Sequence, residues 1–352
     1  MKYLFKILIL LFGTLSFSQE LIFENLFDSS LSSEIACYRI PSIITSTNGT
    51  LIAAIDERNN SCGDLKWNRN INIVLRKSYN DGKTWTKIER IVDYPLGESA
   101  SDPSMIVDRQ TKDIFLFYNY MNLDKAKDIY RFMVIKSNDN GESWSSPKDI
   151  TDQITKKEWK NDFMFITSGR GIQSEDGILL HCLVNLNKGT HVFGSNDHGK
   201  NWFLIDYPLK PGDESKIIEL SNGDWLVNSR VNSNKFRYSH ISKDRGKSWL
   251  SFENKDLSDP ACNASIINYN ISSEKLLLFS NAFDSNERKN LSLSISYDQG
   301  MSWKNNKTIY KGSSAYSSMT KLKNGDVGLF FEKDNYTKNV FVRVPKKWVL
   351  DK

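Results

Sequence analysis

The chain has 352 residues, of which 39% are hydrophobic and 25% charged, the balance of ordinary globular material with enough apolar content for a sizeable core. That composition excludes a chain too polar and charged to fold. A formal net charge of +5 is too mild for a dedicated nucleic-acid surface, although it allows a locally positive pocket for a small anion.

Residues 1–20, MKYLFKILILLFGTLSFSQE, read as a secretory leader. Lys2 and Lys6 give a positive start, Ile7 to Phe12 an apolar stretch, and Ser16-Phe17-Ser18 a small-x-small cleavage site. The apolar run is too short for a bilayer span, so no stable membrane anchor is expected. The expectation is a signal peptide over 1–18, a single domain over 19–352, and export to a periplasm or beyond the cell. Export would permit disulfides. Of Cys37, Cys62, Cys182 and Cys262, the first two flank one early segment and are the better candidates to pair; the alternative is four buried thiols. No CxxC spacing occurs, and His181, His191, His198 and His240 form no ligand-spaced cluster, so neither a metal nor another cofactor is suggested.

Next comes CYRIPSII at 37–44, which reads as a buried strand with a permanent cation, Arg39, set into it. Five copies of one motif follow: SYNDGKTW from 78, SNDNGESW from 137, SNDHGKNW from 195, SKDRGKSW from 242 and SYDQGMSW from 296. They recur about every 50 residues, the period of propeller blades. Each reads as a hairpin turn. The Asp accepts backbone N–H bonds, the Gly supplies positive φ, and the Trp packs back over a strand. Asn80 in the first copy and Asn201 in the third depart from the pattern. These motifs are scaffold, despite their acidic content.

Between the copies, INIVLRKS, DIFLFYNY, GILLHCLV, DWLVNSR, KLLLFSN and DVGLFFEK are β-rich runs bounded by Gly, Asn and Asp. Short helical turns are expected near Leu123 to Tyr130 and over 151–159. Five motifs plus a blade closed by the two chain ends, with LIFENLF (21–27) and NVFVRV (339–344) as closing strands, predict an all-β six-bladed propeller.

Arg-Ile-Pro near the start, followed by several of these Asp boxes, resembles the bacterial exo-α-sialidase (neuraminidase) family, and the resemblance covers essentially the whole chain after the leader. It implies the sialidase fold and the removal of terminal sialic acid from glycoproteins, glycolipids and oligosaccharides. The partners it implies are sialylated glycans. Transfer to another sugar, or to the substrate's own hydroxyl, uses the same core residues and is the alternative. A lectin without catalysis is the reading from another class.

Sialic acid carries a carboxylate on its anomeric carbon, and three arginines bind it in this family. Arg39, Arg230 and Arg288 match them. A guanidinium suits that task because its planar fork grips a carboxylate through two hydrogen bonds and stays charged. The resemblance assigns Tyr316, in SAYSSM, as nucleophile; sialidases are a recognised exception to the two-carboxylate rule of glycoside hydrolysis. A neutral phenol avoids the repulsion an Asp or Glu would meet at a centre bearing a carboxylate. Glu214 matches the base that draws the phenolic proton, with Glu219 as competitor on sequence alone. Asp64, six positions after Arg58, matches the acid/base. Arg58 and Asp102 match contacts to the sugar's 4-hydroxyl side, and Glu332 matches the acid that orients Arg39. Arg170, in FITSGRGIQ, either binds substrate or braces its loop.

Overall fold

In a computed structural model the chain is described over residues 20–271 and 274–351. The expected signal peptide at 1–18 lies outside the described residues. Alternating apolar runs of five to eleven residues, broken by Gly- and Asp-containing turns, pair into antiparallel hairpins, and these build five sheets.

Ile35–Thr45, Leu51–Asn59, Ile71–Ser78 and Glu89–Val92 make one four-stranded sheet. Ser215–Glu219, Trp225–Ser229, Phe236–Ser242 and Leu250–Ser258 make another. Two five-stranded sheets begin with Glu98–Val107 and with Met164–Ile166. In the first of these Gly169–Arg170 adds a short parallel edge on Glu98–Val107. The remaining sheet has seven strands. Its centre is Lys304–Lys321, an uninterrupted strand of 18 residues that pairs on one side with Lys289–Ser296 and on the other with Val327–Lys333.

This corrects the expectation of six separate blades. Four sheets have the make-up of a single blade, and the seven-stranded sheet carries the rest, because Lys304–Lys321 crosses between its two halves without a break in pairing. The arrangement is all-β and propeller-like. As expected, the two ends of the described chain meet: Phe23–Asp28 pairs antiparallel with Lys338–Val344. Only 151–154 and 157–159 form the expected helical turns; 123–130 is a non-helical turn.

The five boxes repeat one hydrogen-bond scheme. The Ser hydroxyl accepts from the Gly N–H four residues on, at 2.7–2.9 Å. The Asp or Asn Oδ1 accepts from the N–H four residues beyond it, at 2.9 Å each time. The box glycines have positive φ, and several press on the neighbouring sheet. A Cβ on Gly199 would lie 2.4 Å from Phe115, and one on Gly300 2.5 Å from Leu226. Each such turn therefore locks one sheet onto the next.

Ile35–Thr45 packs against both Glu98–Val107 and Lys304–Lys321. These three strands carry the same irregularity. Pairing registers slip between Arg39 and Ser42, between Ser101 and Ser104, and between Ser314 and Ser317. These are β-bulges, which bend the strand and re-aim its side chains. Pro41 and Pro103 fall inside two of them, where no ladder N–H is needed.

Candidate active site

The bulges deliver Arg39, Asp102 and Tyr316 to one face. Arg39 is anchored by Glu332, a fully buried acid whose Oε1 accepts from Arg39 Nε at 2.6 Å and from the Ile40 N–H at 2.9 Å. Its Oε2 accepts from the Tyr316 N–H at 3.1 Å. One carboxylate thus fixes both the first arginine and the backbone of the tyrosine. Ion pairing with Glu332 outweighs burial and holds the Arg39 guanidinium above its ordinary pKa.

Arg230 follows Trp225–Ser229, and its Nη1 donates to Glu214 Oε2 at 2.6 Å and to the Tyr316 hydroxyl at 3.2 Å. Its Nε donates to Asn232 Oδ1 at 2.7 Å. Arg288 donates to the Tyr336 hydroxyl at 3.2 Å and to the Ala261 carbonyl at 3.0 Å. The guanidinium carbons of Arg39 and Arg288 each stand 5.5 Å from the centre of the Tyr316 ring. Arg39, Arg230 and Arg288 therefore surround one tyrosine. Burial drives the Tyr316 phenol well above its ordinary pKa and Glu214 adds to the effect, while Arg230 and Arg288 oppose it. The phenol is neutral at physiological pH and needs a base to react.

Glu214 precedes Ser215–Glu219, and Glu219 ends it, about 16 Å further along an extended chain. Glu219 accepts from the Glu175 N–H at 2.6 Å, away from the tyrosine. Position along the strand, more than the face it points to, separates the two glutamates.

Asp64 immediately precedes a short 3-10 turn, Leu65–Trp67, with its side chain 65% exposed and free of any capping bond to that turn. Arg58 Nη1 donates to its Oδ1 at 2.6 Å. Partial burial raises the Asp64 pKa, but the Arg58 charge and hydrogen bond, with Arg39 and Arg288 behind them, bring it below the usual value. The structure joins Cys37 to Cys62 with Cα atoms 5.7 Å apart. Each cysteine is two residues from a site residue, Arg39 or Asp64, so the bridge ties the Asp64 loop to the Arg39 strand. Cys182 and Cys262 are buried free thiols.

Arg58 is fully buried. Its Nε and Nη2 reach Asp56 Oδ2 at 3.2 and 3.0 Å. Asp56 also accepts from Ser101 Oγ at 2.6 Å and the Asp102 N–H at 2.9 Å. Among the described residues the Asp102 carboxyl accepts only from Asn119, at 2.9 Å. Burial and the Asp56 charge push its carboxyl up to about 8. Of the two carboxyls, Asp56 keeps the charge, because Arg58 grips it, and Asp102 keeps the proton.

Two groups were not picked out from the sequence. Asp56 organises the Arg58–Asp102 side of the site. Tyr336 lies with its ring centre 4.1 Å from the Arg39 guanidinium carbon. Asp334, Asn335 and Tyr336 all have positive φ, and the only signal for that tight turn was DNY between two strand-like runs. Arg170 lies elsewhere: its Nη1 donates to the Met319 carbonyl at 3.0 Å, and it lines a separate cavity. Among the described residues, no group of three His, Cys, Asp or Glu side chains is placed to hold a metal, and no helix is long and apolar enough to cross a membrane.

Residues 49–329 match the BNR repeat-like domain family. A sialidase of Bacteroides fragilis is 29% identical over 84% of this chain and 60% of its own length, and one of Micromonospora viridifaciens is 32% identical over 84% and 50%. The chain thus spans about half to three-fifths of these relatives. Among solved structures, the Hadza microbial sialidase Hz136 superposes with a TM-score of 0.81 at 26% identity, covering 88% of this chain and 66% of that one. The intramolecular trans-sialidase of Ruminococcus gnavus superposes with a TM-score of 0.82 at 19% identity over 94% and 98%, a likeness of fold. The chain belongs to the BNR repeat-like domain family.

Proposed function

We propose that the chain is an exo-α-sialidase that removes terminal α-linked sialic acid from glycans by a retaining, double-displacement route. The observation that supports this most is the convergence of three guanidinium groups on a neutral, buried Tyr316 whose hydroxyl shares Arg230 Nη1 with Glu214. Arg39, Arg230 and Arg288 take the substrate carboxylate. Arg58 and Asp102 face the 4-hydroxyl side of the sugar. Glu214 accepts the phenolic proton as the Tyr316 oxygen attacks the anomeric carbon, and Asp64 gives its proton to the departing glycosidic oxygen. Asp64 then takes a proton from water, which displaces the tyrosine; the phenolate recovers its proton from Glu214.

The positive ring around Tyr316 serves both states. It holds the carboxylate on arrival and stabilises phenolate character as the oxygen becomes the leaving group. In the ligand-free protein Asp64 is held ionised by Arg58, so the acid step calls for substrate binding to weaken that pair. The domain would be 19–352 after removal of residues 1–18, exported, with the seven-stranded sheet serving as two blades of a six-bladed propeller.

The test is release of 4-methylumbelliferone from its α-sialoside by the mature protein and by Tyr316→Phe, with NMR of the sugar product. Release that collapses in the variant, with free α-anomer appearing first, supports the reading. A transferred or anhydro product replaces hydrolysis by transfer. No release from folded wild type rejects the enzyme and leaves a lectin.

A further inference from the structure

At the far ends of the inner strands lies a cavity of about 900 Å³, reached by following the chain from Arg39 to Thr45, from Asp102 to Val107, from Glu214 to Glu219 and from Tyr316 to Lys321. Its walls are mixed, with aliphatic residues such as Ile44, Val107, Ile218 and Ile267 set among polar ones such as Thr45, Asn268 and Gln299. Arg109 and Arg170 also line it, and Lys321 and Lys323 add further positive charge.

Arg170 is placed there at a cost. Its Nε is buried without a hydrogen-bond partner, and its one bond, from Nη1, goes to a neutral carbonyl. Arg109 spends Nη2 on the Ser174 carbonyl at 3.0 Å. Among the described residues neither forms an ion pair. The charge that acts on Arg170 is that of Arg109, and burial together with this like charge lowers its pKa to about 10. Two acids share the lining: Glu219 accepts the Glu175 backbone N–H at 2.6 Å, and among the described residues neither carboxylate forms an ion pair with Arg109 or Arg170. Burying a cation usually calls for a counter-charge, and among the described residues Arg170, largely buried, has none within ion-pair distance, while the exposed Arg109 borders the same cavity.

We propose that this cavity is a second binding site, distinct from the catalytic face, for the carboxylate or phosphate group of a small organic anion. The anion supplies the missing counter-charge to Arg170, Arg109 offers a second guanidinium at the exposed edge, and the aliphatic residues of the lining take its carbon skeleton. Two guanidinium forks suit a planar carboxylate or a phosphate equally, by paired N–H···O bonds.

The experiment is calorimetric titration of the whole mature protein with inorganic phosphate and, separately, with succinate, against chloride at equal ionic strength. Wild type, Arg109→Gln and Arg170→Met are compared, with sialoside turnover followed in parallel. The expected result is saturable binding of one or both anions by wild type. Binding is about tenfold weaker in Arg109→Gln and in Arg170→Met, and turnover by Arg109→Gln is unchanged. Phosphate alone, or succinate alone, identifies which group the site takes. Arg109 lies nearer the opening, so its variant decides the matter if Arg170→Met does not fold. The proposal is overturned if neither anion binds more tightly than chloride at millimolar concentration. It is equally overturned if binding survives Arg109→Gln at full strength, since the anion then sits on the catalytic arginines.

Discussion

Replacing Glu332 by Ala tests the frame that joins Arg39 to Tyr316. Glu332 is fully buried and accepts three hydrogen bonds, from Arg39 Nε, the Ile40 N–H and the Tyr316 N–H. Removing one partner of a buried ion pair costs about 3–5 kcal/mol. The Arg39 side chain is 13% exposed, so water relieves some of that. The two orphaned N–H groups add about 1–3 kcal/mol each if they stay dry, although such terms overlap and do not sum. A loss of about 4 kcal/mol is the working figure. Glu332→Gln keeps an acceptor oxygen but turns an NH₂ towards a donor, and should lose about half as much. Urea denaturation at pH 7 reads both, with an unchanged m-value showing that the folded state is intact. On sialoside the Gln variant should raise KM more than it lowers kcat, because Arg39 loses its charged anchor while the Tyr316 hydroxyl keeps its contact with Arg230 and, through it, Glu214. An Ala variant within about 1 kcal/mol of wild type, with normal KM, would falsify the claim that this carboxylate holds the two together.

Four further outcomes follow from the same geometry. Asp64→Asn should lower kcat/KM on natural glycans by about 10²–10⁴-fold, and far less on the 4-methylumbelliferyl sialoside, whose phenolic leaving group needs little protonation; equal losses on both would remove Asp64 from the acid role. Asp102 has a folded pKa near 8 against an ordinary 3.8, so the folded state binds the extra proton and stability falls as pH rises from about 4 to 8. Asp102→Asn should flatten that slope, and parallel wild-type and variant melting curves across the range would show that Asp102 does not carry it. Reduction of Cys37–Cys62, which closes a 25-residue separation, should cost about 3 kcal/mol and lower activity more than stability at 25 °C. Unchanged turnover after verified reduction would show that the bridge does not position Asp64. Tyr336→Phe keeps the ring over Arg39 but deletes the bond to Arg288; KM should rise by about fivefold, a net hydrogen bond of about 1 kcal/mol, and an unchanged KM would make the contact incidental.

Much of this was legible in the chain because a few residues carry strong local instructions. The boxes gave turns, glycine conformations and period, and all five form with one hydrogen-bond scheme. Arg39 was conspicuous as a charge in an apolar strand. What the sequence could not convey was long-range pairing. Lys304–Lys321 begins just after the last box and carries Gly312 and Ser313 at its middle, where a break would be ordinary, and nothing local says that the ladder continues through them. Glu332 and Tyr336 meet Arg39 from nearly 300 residues away, so only a family resemblance brought in the first, and nothing brought in the second. Arg170 was ambiguous for the same reason. Its side chain reaches the Met319 carbonyl, about 150 residues on, and lines the cavity away from the catalytic face, a placement that nothing local announces.

The three slipped registers explain why the active face forms at one end of the inner strands and not along them. A regular strand sends alternate residues to opposite faces, so a strand buried on both sides has no way to aim a charged group down its own axis. A bulge does, at the cost of a strained residue. Ile40 has φ 69° and Asp102 φ 64°, and for a β-branched isoleucine that is a clear outlier worth about 1–3 kcal/mol. Both are held by carboxylates that also serve the site: the Ile40 N–H by Glu332, the Asp102 N–H by Asp56. Each acid therefore has two tasks, to orient an arginine and to clamp the bend beside it. A substitution at either should relax the bulge and misdirect the side chain together, which is why charge-preserving exchange, Glu332→Asp, is not expected to rescue a shortened reach.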